Sequence, residues 1–129
     1  MIVVDCSAVI DALSGVPGTD ELLVQLDTHE LHAPTLIDSE VVSALRGLTL
    51  GRHLSAPRAA DLLTDFDDLP LQRWQCADAL RRRAFHLRDN LSAYDAMYVA
   101  LAEGLACPLV TRDARLVRSS GHEAQIEVW

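Results

Sequence analysis

The chain has no lysine: all 11 of its basic residues are arginine. That absence excludes P-loop NTPases, receiver domains and haloacid-dehalogenase-type phosphatases, each of which needs a specific lysine. Cysteine is also scarce. Cys6, Cys76 and Cys107 are odd in number and contain no CxxC pair, so neither a disulfide framework nor a thiolate zinc site is expected. No apolar run approaches the ~20 residues that a membrane-spanning helix requires. The first residues, MIVVDCSAVID, reach an acid at position 5 and lack a basic n-region and a small-residue cleavage site, so they do not read as a signal peptide. A cytoplasmic protein is therefore expected. Of the five histidines, only His29 and His32 lie three apart, and they straddle a predicted helix end rather than forming a metal pair. Positive charge is outweighed as well: the net charge of −8 argues at first sight against a nucleic-acid partner.

Within those exclusions stands an ordinary globular composition. Half of the 129 residues are hydrophobic, enough for one domain over residues 1–129 with a real core. Met1 to Val4 is a β-branched apolar run that reads as a buried strand. Ser7 is placed to cap a helix from Ala8 to Leu13, ended by Gly15 and Pro17. Thr19 to Thr28 carries leucines at helical spacing, and Leu31 to Ala33 reads as a strand stopped by Pro34. A helix opens at Thr35 with Asp38 three residues on, in the pattern of a capping box, and ends at Gly51. Another runs from Ser55 to about Phe66, where Asp65, Asp67 and Asp68 oppose the helix dipole. Leu69 to Trp74 reads as an edge strand because of Pro70. Helices are predicted over Gln75 to Arg88 and from Ser92 to Glu103, with Gly104 as C-cap. Pro108 to Thr111 is a strand, Asp113 to Arg118 a short helix and Ile126 to Trp129 a last strand. Alternating strands and helices predict an α/β domain with a mainly parallel central sheet flanked by helices.

Four acids stand out against that frame. In an open parallel sheet, ligands bind at the carboxyl ends of the strands. Asp5 ends the first strand, and Asp113 lies just past Leu109 to Thr111. Glu40 and Asp95 sit in the first turns of largely apolar helices, which start at the same sheet edge. Each acid has a plainer explanation. Asp5 suits a turn, Asp113 an N-cap, Asp95 a capping box with Ser92, and Glu40 a first-turn charge. Together they are harder to dismiss. Asp5 follows four apolar residues, and Asp95 stands in LSAYDAMYVALA, where no other residue is charged. Carboxylates in such surroundings are costly without a compensating cation, and with no lysine in the chain a metal ion is the natural one.

Four segments carry a resemblance: VVDCSAVIDAL at residues 3 to 13, SEVVSALRGL at 39 to 48, LSAYDAMYVALAE at 91 to 103 and LVTRDARL at 109 to 116. In this order, they resemble the PIN domain, and specifically the VapC toxins of bacterial toxin–antitoxin pairs. The resemblance implies a single PIN-like domain with Asp5, Glu40, Asp95 and Asp113 as metal-binding catalytic acids, supported by the hydroxyls of Ser7 and Thr111. It implies an endoribonuclease using Mg²⁺ or Mn²⁺, ions that prefer carboxylate oxygen and retain waters. Such chemistry activates water for in-line attack and leaves a 5′-phosphate and a 3′-hydroxyl, with no need for a His or Lys base. The partners implied are an RNA substrate, a small antitoxin protein and a second copy of the chain in a homodimer. For the homodimer, Leu54, Leu62, Leu63 and Phe66 are the candidate apolar face.

Substrate affinity then falls to local arginines. Arg81, Arg82 and Arg83, with Arg88, form the basic cluster, either as a phosphate-contacting rim or as a solvated helix face. Arg46 and Arg112 lie close to Glu40 and Asp113 in sequence and are candidates for RNA or antitoxin contact. Two other functions remain open on the same residues: a catalytically silent module that binds RNA or protein, and a housekeeping RNA-processing nuclease.

Overall fold

A computed structural model describes residues 1–129. The elements run β1 (Ile2–Val4), α1 (Cys6–Ser14), α2 (Asp20–Thr28), β2 (Leu31–Pro34), α3 (Leu36–Leu50) and α4 (Ala56–Asp68). They continue with β3 (Leu71–Trp74), α5 (Asp78–His86), α6 (Ala93–Leu105), β4 (Leu109–Thr111), α7 (Ala114–Val117) and β5 (Ile126–Val128). The five strands form one sheet in the order β3-β2-β1-β4-β5, and every pairing is parallel. The α/β expectation is therefore met, and β3 lies at an edge, as Pro70 implied. No helix is long and apolar enough to cross a membrane.

The topology explains where a site belongs. From β1 the chain steps outward to β2 and β3, then returns to the other side of β1 for β4 and β5. The winding direction reverses between β1 and β4, and a crevice opens at the carboxyl ends of adjacent strands at such a switch point. Val4 is in register with Val110, so Asp5 and Thr111, the next residues on each strand, meet at that crevice. Beneath it the strands supply Val3, Val4, Leu31, Leu109 and Val110 to a continuous core completed by α1, α3 and α6. Helix α6 packs over β1, β2 and β4, whereas α1 packs against α2, α3 and α4.

Several boundaries differ from expectation, each for a local reason. Helix α1 begins at Cys6, and the residue capping it is Asp5, not Ser7. Thr35 makes no side-chain cap, and Asp38 turns instead to Arg73 on the edge strand, at 2.9 Å. Helix α4 continues through Asp67 to Asp68, because the buried Leu62 and Phe66 anchor its face while the acids remain in water, where the dipole penalty is screened. Helix α5 starts only at Asp78. Helix α6 absorbs Gly104 and ends at Leu105, capped by Ala106, whose φ of 51° is left-handed and whose N–H reaches back to the carbonyls of Ala102 and Glu103. The apolar stripe proposed for a homodimer is mostly core. Leu62 and Phe66 are buried, Leu54 packs against the core, and only Leu63 is exposed.

Candidate active site

Four elements deliver the four acids to one cleft of about 390 Å³, lined by Asp5, Glu40, Asp95 and Asp113 together with Cys6, Ser7 and Tyr98 among others. Asp5 is only 9 % exposed. Its Oδ1 accepts from the Ala8 N–H at 3.0 Å and the Ser7 hydroxyl at 2.6 Å, and its Oδ2 accepts from the Thr111 hydroxyl. Both hydroxyl protons are spent on this carboxylate, so the 3.4 Å contact between Ser7 and Thr111 is an approach rather than a further bond. The two hydroxyls in turn accept backbone N–H groups, Ser7 from Arg112 and Thr111 from Asp113, each at 3.0 Å. Strand β4, its following turn and α1 are thereby tied around a single carboxylate.

Glu40, half-buried on α3, accepts a 2.6 Å hydrogen bond from the Tyr98 hydroxyl. Asp95 stands in the first turn of α6, where its backbone N–H is capped by Ser92 at 3.2 Å. None of Asp5, Glu40 and Asp95 has an arginine or histidine partner. Burial raises the carboxyl of Asp5 above its ordinary range; its hydrogen bonds oppose this, and the Asp95 charge adds to it. Burial does the same to Glu40, opposed by Tyr98 and reinforced by Asp5 and Asp95. The Cys6 thiol is pushed up to about 12 by burial and the surrounding acids, so it stays protonated near neutral pH.

Asp113 differs from the other three. It caps α7 through the Arg115 N–H at 2.9 Å, and the Arg115 guanidinium grips its carboxylate at 2.7 Å. That guanidinium holds Asp113 below the usual carboxylate range. The acids stand around the cleft rather than at one point, and no three His, Cys, Asp or Glu side chains converge closely enough to enclose an ion. The donor set still fits a hard divalent cation: oxygen ligands only, three of them without a counter-charge, around an open cleft.

The arginines are placed less favourably. Arg112 donates from its guanidinium to Asp11 at 2.9 Å and to the Trp129 carbonyl at 2.6 Å, which commits it to holding α1 and the last strand together. Arg46 is exposed and unpaired beside an apolar groove that contains Val42 and Leu63. Arg81 bonds the Cys76 carbonyl and Arg82 pairs with Asp78. Arg83 forms a two-pronged pair with Glu103, at 2.7 and 2.9 Å. None of the three lines the acid cleft. Arg83 and Glu103 border a different cavity, about 790 Å³, walled by Pro108 and Gln125 just before β4 and β5, at the opposite sheet edge. Arg83→Ala is therefore expected to lower the melting temperature by roughly 2–6 °C, for a pair worth about 1 kcal/mol, and to leave cleavage within about twofold. Thermal melts and a cleavage assay on the same preparation check both parts.

Two residues of the site escaped the sequence reading. Tyr98 passes for a core aromatic, although its position one turn past Asp95 puts it on the same helix face. Arg115 is two residues after Asp113, close enough to have been noticed.

The PIN domain model matches residues 2–121. The chain is 37% identical to "Ribonuclease VapC12" of Mycobacterium tuberculosis and 41% identical to "Ribonuclease VapC9" of the same organism. Each match covers 99% of this chain and 98% of the relative. Its fold superposes on a crystal structure of VapBC2 from Rickettsia felis bound to a promoter DNA fragment, with a TM-score of 0.72 over 100% of this chain and 99% of the other, at 14% identity. The chain belongs to the PIN-domain family, in its VapC branch.

Proposed function

We propose that the chain is a divalent-metal-dependent endoribonuclease acting as the toxin of a toxin–antitoxin pair. The observation that carries this reading is that Asp5, Glu40 and Asp95, three carboxylates without an ion-pair partner, line one cleft at the sheet's switch point. Relatives of the same length are named ribonucleases, which supports the reading from a second side.

Asp5, Glu40 and Asp95 would hold Mg²⁺ or Mn²⁺, with Asp113, which lines the same cleft but is paired with Arg115, contributing less directly. When bound, the ion would supply an activated water and neutralise charge on the phosphate. The chain's own contribution is orientation. Ser7, Thr111 and the Ala8 N–H fix the Asp5 carboxylate at the cleft and leave one acceptor position free, on Oδ2. The first turn of α6 places Asp95 at the same cleft. No basic side chain is required, and none lines the cleft. The antitoxin partner and a cytoplasmic location belong to the same proposal.

Purified protein is expected to cleave structured RNA with Mg²⁺ or Mn²⁺ and to stop on adding EDTA; no cleavage with metal sinks the enzymatic reading. Growth arrest on expression, relieved by a small protein encoded immediately upstream, separates a toxin from a housekeeping nuclease.

A further inference from the structure

Glu40 differs from the other acids in how it is held. Asp5 is fixed by three donors at the end of a strand, Asp95 is close to its helix backbone, and Asp113 caps a helix. Glu40 reaches the cleft on a longer, more flexible side chain from α3, and its single hydrogen-bond donor is the Tyr98 hydroxyl, at 2.6 Å. Resting on the metal-site reading above, we propose that Tyr98 is a positioning residue that fixes the Glu40 carboxylate for the divalent cation.

Tyr98 is suited to the task. Its ring is 2 % exposed and packed into the core, so the hydroxyl has one place to point. It follows Asp95 by three residues on α6, and side chains at that spacing share a helix face. One rigid helix thus presents an acid and, one turn deeper, the donor that orients a second acid from another helix. The bond occupies Oε1 of Glu40 and leaves Oε2 for the cation. A tyrosine phenol is protonated at neutral pH, so its hydroxyl serves as a donor to the carboxylate. Outer partners of this kind set ligand orientation and affinity at metal sites.

The test is Mn²⁺ binding by calorimetry, with no RNA present, on the full chain, Tyr98→Phe, Glu40→Ala and the double variant. Phe keeps the buried ring and removes only the hydroxyl. Tyr98→Phe is expected to weaken Mn²⁺ binding roughly tenfold, within the 10–100-fold range of such partners, while melting in EDTA close to the parent. In the Glu40→Ala background the same change is expected to cost nothing more, because the group it positions is gone. Tyr94→Phe, on an exposed side chain of the same helix, serves as the control and is expected to bind Mn²⁺ as the parent does. Parent-like Mn²⁺ binding by Tyr98→Phe overturns the positioning role, as does an undiminished loss in the Glu40→Ala background. A parent that binds no Mn²⁺ overturns the metal reading itself, and this role with it.

Discussion

Asp95→Asn is expected to lower kcat/KM for RNA by on the order of 10³-fold or more, about 4 kcal/mol of transition-state stabilisation, with the fold unchanged. The two halves of that expectation have separate grounds. The Asp95 carboxylate makes no hydrogen bond or ion pair inside the protein; only its backbone N–H is engaged, by Ser92. Asn has the same shape, so nothing structural is lost, and the melting temperature in EDTA should hold. What is lost is a charge without an ion-pair partner, close enough to Asp5 and Glu40 to act on both, and a metal site would need that charge. Asp5→Asn should be as damaging to cleavage but is a less clean probe, because its carboxylate also caps α1 and accepts from Ser7 and Thr111. Asp113→Asn should cost less than either, since Arg115 already neutralises that acid. Kinetics and thermal melts of the three variants check the order. An Asp95→Asn protein within tenfold of the parent would falsify its role.

The second large effect is on stability, and it depends on pH and on metal. Asp5 and Glu40 are both held above the ordinary carboxylate range, chiefly by burial. A raised acid contributes stability that is complete below its unfolded value, about pH 4, and is lost as pH climbs through the raised one. Asp113 and Glu103, held low by Arg115 and Arg83, run the other way: their contribution is present above the ordinary value and lost as pH falls. Comparison with a variant isolates the first effect. In EDTA the melting temperature of Asp5→Asn relative to the parent should be highest at pH 7 and fall toward pH 4, on top of a pH-independent loss of hydrogen bonds to the carboxylate. With Mn²⁺ at 100 times its dissociation constant, the parent should gain about 2.7 kcal/mol, roughly 5–15 °C, and the variant less. Equal Mn²⁺ gains in the two proteins would contradict a site built on Asp5.

What the sequence revealed and concealed follows from distance along the chain. A carboxylate after four apolar residues, and another amid an uncharged helix, are local patterns, so Asp5 and Asp95 were visible. The parallel sheet was visible too, since alternating strands and helices leave few other topologies. Ser7 looked like a cap because Asp and Ser are both good caps and stand two residues apart. In the fold the Ser7 hydroxyl instead donates to the Asp5 carboxylate and accepts from the Arg112 N–H, 105 positions away. The arginine run at 81 to 83 looked like a basic patch. Tertiary pairing with Glu103, 20 residues on, turns one member into a structural strut. Tyr98 and Glu40 are 58 residues apart, and no helical period connects them. The lowered Asp113 is intermediate: its cap was foreseen, but the grip of Arg115 was not.

The chemistry of the cut ends tests the central claim most directly. Water activated at an acidic metal site opens the phosphodiester to a 5′-phosphate and a 3′-hydroxyl. Attack by the RNA's own 2′-hydroxyl leaves a 2′,3′-cyclic phosphate and needs no metal. RNA cut by the purified protein in Mg²⁺ is expected to carry only 5′-phosphate and 3′-hydroxyl ends, and RNA incubated in EDTA is expected to stay intact. Cyclic phosphate ends, or cutting that persists in EDTA, would contradict a metal-dependent site at Asp5, Glu40 and Asp95.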